Sequence, residues 1–146
     1  MPHLTLPIDA RLGAIIRLEI GVSAQRATAL RKVDAAIPPP VSISLLIDTG
    51  ASCTVVNEAA LKPLGLPPRG ATLIRTPSTG QNPTARNTYD ISLRLTHADG
   101  GRFFNSVLVV ATDFHGQNLD GLLGRDVLEK CLLVYNGEHK MFALSF

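Results

Sequence analysis

One aspartate stands at the end of an aliphatic run, and this arrangement constrains the fold more than any other feature. The segment VSISLLIDTGAS, residues 41–52, alternates at first and is then continuously apolar from Leu45 to Ile47, directly before Asp48. A strand that becomes continuously apolar is predicted to be buried on both faces at its end. A carboxylate beside such a run is costly unless hydrogen bonds or a function compensate for it. The sequence therefore predicts a core strand that delivers Asp48 to a loop.

Turn residues divide the rest of the chain into short apolar segments. Twelve Gly and ten Pro among 146 residues favour short strands, and a hydrophobic content of 45% suffices for one core. Short helices are predicted after Ser23 and Asn57, which suit N-caps, although residues 21–40 also fit an irregular excursion. We predict one all-β domain over residues 1–146 with one or two short helices. Further strands are predicted in LGAIIRLEI, RFFNSVLVVA, CLLVY and KMFALSF, with a hairpin over residues 71–95.

Charge, cysteine content and hydropathy exclude several classes of function. The net charge is +2 and the 14 Lys and Arg are spread along the chain, so we expect no nucleic-acid partner. Cys53 and Cys131 make no disulfide framework, and no Cys or His spacing fits a metal site such as zinc. The apolar runs are far shorter than the roughly 18 residues of a membrane helix, and MPHLTLPIDARLG lacks the pattern of a signal peptide. We therefore expect a cytoplasmic protein with no metal, cofactor or membrane partner.

The tripeptide Asp48-Thr49-Gly50 has two interpretations. One is an ordinary turn, because Asp and Gly are common turn residues. The other is a reactive carboxylate, with Thr49 anchoring the loop through its hydroxyl and Gly50 permitting a turn and the close approach of other groups. The apolar residues on both sides of the tripeptide favour the second interpretation.

The segment LLIDTGAS resembles the active-site motif of aspartic proteases, and a second segment supports this resemblance. GLLGRDVL, residues 121–128, is similar to the second signature of that family, in which two aliphatic residues and a glycine precede a short helix. A single tripeptide in a short chain resembles the retropepsin-like branch, which includes retroviral proteases and bacterial relatives. The resemblance covers residues 41–146 well and residues 1–40 weakly. It implies a closed retropepsin-like barrel, which is half of a pepsin-type fold.

The resemblance also implies a homodimeric endopeptidase that needs no metal or cofactor. Two facing Asp48 carboxylates cannot both ionise easily, so the pair shares one proton and activates a water molecule against a peptide bond. Thr49 is expected to brace the two loops, and Gly50 to offer its backbone to the substrate. The flap that closes over the peptide is expected around residues 78–83. The expected substrate contacts are Ala51, Ser52, Cys53, Ser78, Thr79, Gly80 and Leu123.

The chain departs from many retroviral relatives at Ser52. Those relatives carry an Asp there, which pairs with the Arg of the second signature, so Arg125 lacks its usual partner. Three roles are open to Cys53: it could line the substrate pocket, sense oxidation, or serve as a small buried hydrophobe. Asp120 and Asp126 flank the second signature and fit turn and helix-cap roles better than catalysis.

Two other functions are compatible with the sequence. A catalytically weak peptide-binding or dimerisation module would keep the fold, although it needs no charge at position 48. A β-barrel carrier for a small apolar ligand predicts a monomer with a closed cavity and leaves Asp48 unexplained. In a dimer, the C-terminal segment MFALSF is a candidate for the intersubunit sheet, because an exposed apolar edge strand invites aggregation.

Overall fold

The computed structural model describes residues 1–75, 82–98 and 100–146, which form a barrel and a smaller sheet. The predicted flap residues Ser78, Thr79 and Gly80 lie outside this described part. The strands are β1 (His3–Pro7), β2 (Ile15–Val22), β3 (Val41–Ile47), β4 (Val55–Asn57), β5 (Gly70–Ile74), β6 (Thr84–His97), β7 (Gly100–Thr112), β8 (Gly121–Leu123), β9 (Leu132–Asn136) and β10 (Met141–Ser145). The helices are α1 (Ala24–Lys32), α2 (Glu58–Leu61) and α3 (Arg125–Leu128), and a 3-10 turn, Lys62–Leu64, follows α2.

Six strands close into a barrel in the order β2-β3-β8-β4-β7-β6, and pairing of β6 with β2 completes the ring. The pairs β3–β8 and β4–β7 are parallel and the other four are antiparallel. The closed barrel that the resemblance implied is confirmed. Its core is aliphatic, and the most buried side chains include Ile16, Leu18, Ile20, Leu45, Ile91, Leu93 and Leu123.

The strand before Asp48 lies in the middle of this ring. β3 is hydrogen-bonded to β2 on one side and to β8 on the other. Ile43 and Leu45 point into the core, whereas Leu46 and Ile47 are half-buried. The predicted burial on both faces is thus confirmed only in part, because Leu46 and Ile47 at the end of β3 are half-buried and not fully buried.

The predicted hairpin and helices are confirmed. β5 and β6 pair antiparallel from Gly70 opposite Thr88 to Ile74 opposite Thr84. The hydroxyl of Ser23 accepts the N–H of Arg26 and caps α1, so the middle of residues 21–40 is a helix. Within the described ranges, no helix is long and apolar enough to span a membrane.

The two ends of the chain form a second, three-stranded sheet in the order β1-β10-β9, which we call the terminal sheet. β1 was not predicted. β10, which contains most of the MFALSF segment, pairs with β1 on one side and β9 on the other. Both edges of β10 are occupied within one chain, so the premise that this segment is otherwise an exposed edge is wrong, whereas its place in an intersubunit sheet stays a prediction. The outer strands of the terminal sheet are β1 and β9.

Candidate active site

Asp48 directly follows β3, and backbone hydrogen bonds on both sides of the strand fix its position. The N–H of Ile47 donates to the carbonyl of Ala14 at 2.8 Å, next to β2. The N–H of Asp48 donates to the carbonyl of Leu123, at the end of β8, at 3.0 Å. The backbone that carries the carboxylate is therefore held by neighbours on both sides.

Residues 48–51 form a tight turn, which we call the Asp48 turn. The N–H of Ala51 donates to the carbonyl of Asp48 at 3.2 Å, and the N–H of Gly50 donates to Asp48 Oδ1 at 2.9 Å. An Asp side chain that accepts from the N–H two residues later is a common turn-forming contact. Asp48 is half-buried, whereas Thr49 and Gly50 are exposed. The turn thus orients the carboxylate at the surface of the single chain.

Arg125, at the start of α3, contacts the Asp48 turn from the second signature. Its Nη1 donates to the carbonyl of Thr49 at 3.0 Å and lies 3.5 Å from the carbonyl oxygen of Gly50. Its backbone N–H donates to the carbonyl of Ala51 at 2.9 Å. Arg125 therefore contacts backbone carbonyls, in place of the carboxylate that Ser52 does not provide.

A buried threonine links the segment after the turn to the second signature. Thr54 is 0% exposed, and its hydroxyl donates to Asp126 Oδ1 at 2.8 Å and accepts the N–H of Gly124 at 3.1 Å. The N–H of Thr54 donates to Asp126 Oδ2 at 3.0 Å. Thr54 was not predicted as a functional residue; its only signal in the sequence is a polar residue within the apolar run after the tripeptide.

Gly124 allows the two segments to touch. A Cβ at this position would lie 2.4 Å from the carbonyl carbon of Cys53 and 2.5 Å from its oxygen. Real Cβ atoms do not approach backbone so closely, so only glycine fits between β8 and α3. The glycine of the second signature is therefore explained by the backbone that crosses it.

The predicted substrate contacts after the tripeptide lie next to the carboxylate in sequence and differ in exposure. Ser52 is exposed, and Ala51 and Cys53 are half-buried. Burial raises the pKa of the Cys53 thiol, the Asp126 carboxylate raises it further, and a hydrogen bond with Ser52 lowers it.

Leu123 has a different place from the predicted one. Its side chain is 0% exposed and belongs to the core, and its carbonyl accepts the N–H of Asp48. A peptide on the surface does not reach a side chain in this position. We therefore assign Leu123 to the support of Asp48 and correct the prediction that it contacts substrate.

The two carboxylates that flank the second signature have structural roles, as predicted. Asp120 Oδ2 accepts the N–H of Ser44 at 2.9 Å, which ties the residue before β8 to β3. Both oxygens of Asp126 accept hydrogen bonds from Thr54, and Oδ1 also accepts the N–H of Val127 in the first turn of α3. Both carboxylates are therefore engaged in hydrogen bonds within the chain.

Four surface cavities are lined by residues other than those of the Asp48 turn. Four cavities with volumes of about 260 to 510 Å³ are lined by described residues, and none of these four includes a residue from 48–53. One of about 310 Å³ lies on the terminal sheet, where Val134, Met141 and Ala143 line it. Among residues 1–75, 82–98 and 100–146, no group of three or more His, Cys, Asp or Glu side chains is arranged to hold a metal ion.

Comparison with known families settles the class of the protein. Residues 33–127, more than half of the chain, match the family model described as aspartyl protease. The chain belongs to the aspartyl protease family. The match contains the Asp48 turn and nearly all of the second signature, the two segments that the structure brings into contact. Family membership places the chain among the proteolytic hydrolases.

The fold of this aspartyl protease is also that of a solved relative. It is similar to a retropepsin-like aspartic protease from Rickettsia conorii, with 15% sequence identity and a TM-score of 0.58. The similarity covers 99% of this chain and 91% of that chain. At this identity the likeness supports the retropepsin-like fold alone. A comparison with curated proteins gives no match.

Proposed function

We propose that this aspartyl protease is a homodimeric endopeptidase whose two Asp48 carboxylates, one from each chain, activate a water molecule. The observation that carries the proposal is the Asp48 turn, which is half-buried at Asp48, exposed at Thr49 and Gly50, and held by hydrogen bonds beside β2, β8 and α3. Aspartic protease chemistry uses two carboxylates, and the chain contains one Asp-Thr-Gly. A twofold axis beside the turn supplies the second carboxylate without further sequence.

Other parts of the chain are poor sources of a second carboxylate. Asp120 and Asp126 are bonded to Ser44 and Thr54 inside the chain. Residues 76–81, with the sequence TPSTGQ, contain no acidic residue. A second copy of the same turn is therefore the simplest source of a matched partner.

The proposed reaction proceeds by general acid–base catalysis with no covalent intermediate. The ionised carboxylate takes a proton from the bound water, whose oxygen attacks the carbonyl carbon of the peptide bond, while the protonated carboxylate donates its proton to the carbonyl oxygen. The resulting tetrahedral intermediate then transfers a proton to the amide nitrogen, and the carbon–nitrogen bond breaks. The pair ends with one shared proton, as it began.

The geometry of the Asp48 turn supports the proposed roles of its other residues to different degrees. Thr49 is exposed and available to a partner chain. The N–H of Gly50 is committed to Asp48 Oδ1, so only its carbonyl remains for substrate. That carbonyl has a long contact of 3.5 Å with Arg125 and keeps a second lone pair.

The terminal sheet offers apolar surface for the second copy. The large apolar side chains exposed on β9 and β10 are Leu132, Val134, Tyr135 and Met141. Val134 and Met141 line the same cavity on this sheet, and exposed apolar side chains that lie together are typical of an interaction site. β9 is also an outer strand of its sheet, and an unpaired edge favours association with another chain.

The packing of the barrel disfavours a carrier of small ligands, because fully buried aliphatic side chains occupy the interior. A catalytically weak binding module remains the second candidate. The two functions differ in turnover, since a module of that kind binds peptides through the same surface without cleaving them.

The test is cleavage of a mixed peptide library at mildly acidic pH, with Asp48→Asn as the matched control. We expect the wild type to cleave and the variant to show only background, while the circular dichroism spectra of the two agree. Cleavage by both proteins at equal rates would refute the assignment of Asp48. Peptide binding without cleavage by the wild type would favour the binding module. Sedimentation of both proteins measures whether each is a dimer.

A further inference from the structure

One side chain outside the Asp-Thr-Gly motif is hydrogen-bonded to the backbone of the Asp48 turn. Arg125 faces three successive carbonyls, those of Thr49, Gly50 and Ala51, through its guanidinium and its backbone N–H. We propose, on the basis of the function proposed above, that Arg125 is a positioning residue for Asp48. It acts through the single peptide group between Thr49 and Gly50.

This peptide group is held at both of its polar ends. Its carbonyl, from Thr49, accepts from Arg125 Nη1 at 3.0 Å, and its N–H, from Gly50, donates to Asp48 Oδ1 at 2.9 Å. A trans peptide group is planar, and its C=O and N–H point in opposite directions. Holding the carbonyl on Arg125 therefore aims the N–H at the carboxylate. A flipped peptide group would turn a carbonyl oxygen toward Asp48 in place of a donor.

The charge of Arg125 also strengthens the hydrogen bond from the N–H of Gly50 to Asp48. A guanidinium remains charged at all relevant pH values. Hydrogen bonds in a chain polarise one another, so a charged donor on the carbonyl makes the N–H of the same peptide group a stronger donor. Arg125 thus stabilises the oriented carboxylate across one peptide group, without touching it.

Position 52 explains why the guanidinium is available for this role. Ser52 is exposed and carries no charge, so the guanidinium has no carboxylate there to bind. Among the described residues, Arg125 forms no salt bridge within 4.0 Å. Its donors are therefore free to contact the carbonyls of the turn.

A positioning role and a structural role of Arg125 predict different effects of its substitution on stability. Arg125, Thr49 and Gly50 are exposed in the single chain, and the exposed hydrogen bonds between them add little to global stability. We therefore expect Arg125→Gln to fold with an unchanged denaturation midpoint. A large loss of stability would mean that Arg125 is part of the structural framework, and would overturn the proposal.

The first test monitors the hydrogen bond between Gly50 and Asp48 by NMR. It requires no enzymatic activity, so its outcome is independent of the proposed function. Labelling with ¹⁵N-glycine gives one amide resonance for each of the 12 glycines, and Asp48→Asn identifies that of Gly50. We expect Arg125→Gln to move the Gly50 amide proton upfield, as its bond to Asp48 weakens. Arg125→Lys, which keeps a charge but loses the fork of donors, should move it less in the same direction. A Gly50 resonance that stays in place in both variants would overturn the proposal.

The matched control is Arg102→Gln. Arg102 also donates from its guanidinium to a backbone carbonyl, that of Lys130, at 2.6 Å. Its loss should leave the Gly50 resonance and the rate of cleavage unchanged. A shift of equal size in this variant would show that the resonance reports any lost arginine, and would remove the support for a specific role of Arg125.

The second test uses kinetics at protein concentrations that keep every variant dimeric. Misplacement of a catalytic group by about 1 Å costs on the order of a hundredfold in rate, so we expect kcat of Arg125→Gln to fall by about tenfold to a hundredfold. KM should change little, and Arg125→Lys should recover part of the loss. Full recovery of Arg125→Gln on raising the protein concentration would assign the residue to dimer assembly instead. An inactive wild type would refute the proposed function, while the Gly50 resonance would still decide the positioning role.

Discussion

The carboxylate of Asp126 accepts two hydrogen bonds from Thr54, one from its backbone N–H at 3.0 Å and one from its hydroxyl at 2.8 Å. The two residues are 72 positions apart in the chain. Thr54 is fully buried, so this contact joins the segment after the Asp48 turn to the second signature inside the protein. The segment after the Asp48 turn is therefore held to the second signature by a part-buried polar link.

Removal of the Thr54 hydroxyl should destabilise the protein without changing the shape of the side chain. In Thr54→Val, the N–H of Gly124 loses its acceptor and Asp126 Oδ1 loses a donor. A buried polar group without a partner costs about 1–3 kcal/mol, and we expect a loss of that size in the free energy of unfolding. Urea denaturation measures it.

The control for this substitution is Thr28→Val on α1. The Thr28 hydroxyl also donates to a neighbour, the carbonyl of Ala24 at 3.0 Å, but the contact is exposed. Water replaces an exposed partner, so the free energy of unfolding should change by less than about 0.5 kcal/mol. Equal effects of the two substitutions would contradict a special role for Thr54.

Gly124→Ala should displace the segment that carries Cys53. The φ angle of Gly124 is −89°, which alanine adopts without strain, so the effect is purely one of space. The new Cβ would meet the Cys53 carbonyl carbon at 2.4 Å. We expect a loss of about 1–3 kcal/mol in the free energy of unfolding, measured by urea denaturation, and reduced peptide cleavage.

Gly137→Ala provides the comparison for this substitution. In the turn between β9 and β10, the nearest atom to a new Cβ is a ring carbon of Tyr135 at 3.7 Å, an ordinary contact. Stability and cleavage should remain close to those of the wild type. If Gly124→Ala proves equally neutral, the two segments do not touch as closely as described.

Subunit mixing should reveal whether two chains share one site. When wild type is mixed with an equal amount of Asp48→Asn and the subunits exchange, random pairing leaves roughly a quarter of the dimers with two native aspartates. Activity should fall toward that fraction of an all-wild-type sample at the same total protein. A fall to only half would mean that each chain works alone.

The Cys53 thiol should react slowly at neutral pH. Burial raises its pKa first of all, and the Asp126 carboxylate raises it further. Since the thiolate is the reactive form, a raised pKa lowers the reactive fraction at any pH below it. In Cys131→Ser, the alkylation rate of Cys53 should lie below that of a free thiol at pH 7 and climb toward alkaline pH. Alkylation as fast as that of a small free thiol at pH 7 would show that Cys53 is not shielded.

Local patterns in the sequence predicted the turn and most of the strands. The apolar run up to Ile47 predicted β3, and the two signatures predicted where β8 and α3 lie. The contacts of Arg125 with Thr49 and of Asp126 with Thr54 were not predictable, because they join residues more than 70 positions apart. Such contacts depend on the position of β8 relative to the Asp48 turn, and the spacing of residues along the chain does not predict this position.

The structure differs from the sequence-based predictions at two further places, β1 and Leu123, and each difference has a local cause. β1 was missed although Leu4 and Leu6 alternate with polar residues, because Pro2 and Pro7 obscure so short a strand. Leu123 was assigned to substrate because an aliphatic residue beside a catalytic loop fits the pocket wall and the core equally well. Only the burial of its side chain distinguishes the two.

The pairing of β1 with β10 has a consequence for protein synthesis. β1 is synthesised well before its neighbour β10, and the N–H of Phe146 donates to the carbonyl of Pro2 at 3.0 Å. A nascent chain therefore carries β1 without its neighbour until translation reaches β10. A chain whose translation stops before β10 has β1 and β9 without the strand between them. Unpaired strands of this kind aggregate or are degraded. Assembly of the terminal sheet thus marks the chains in which translation has passed β10.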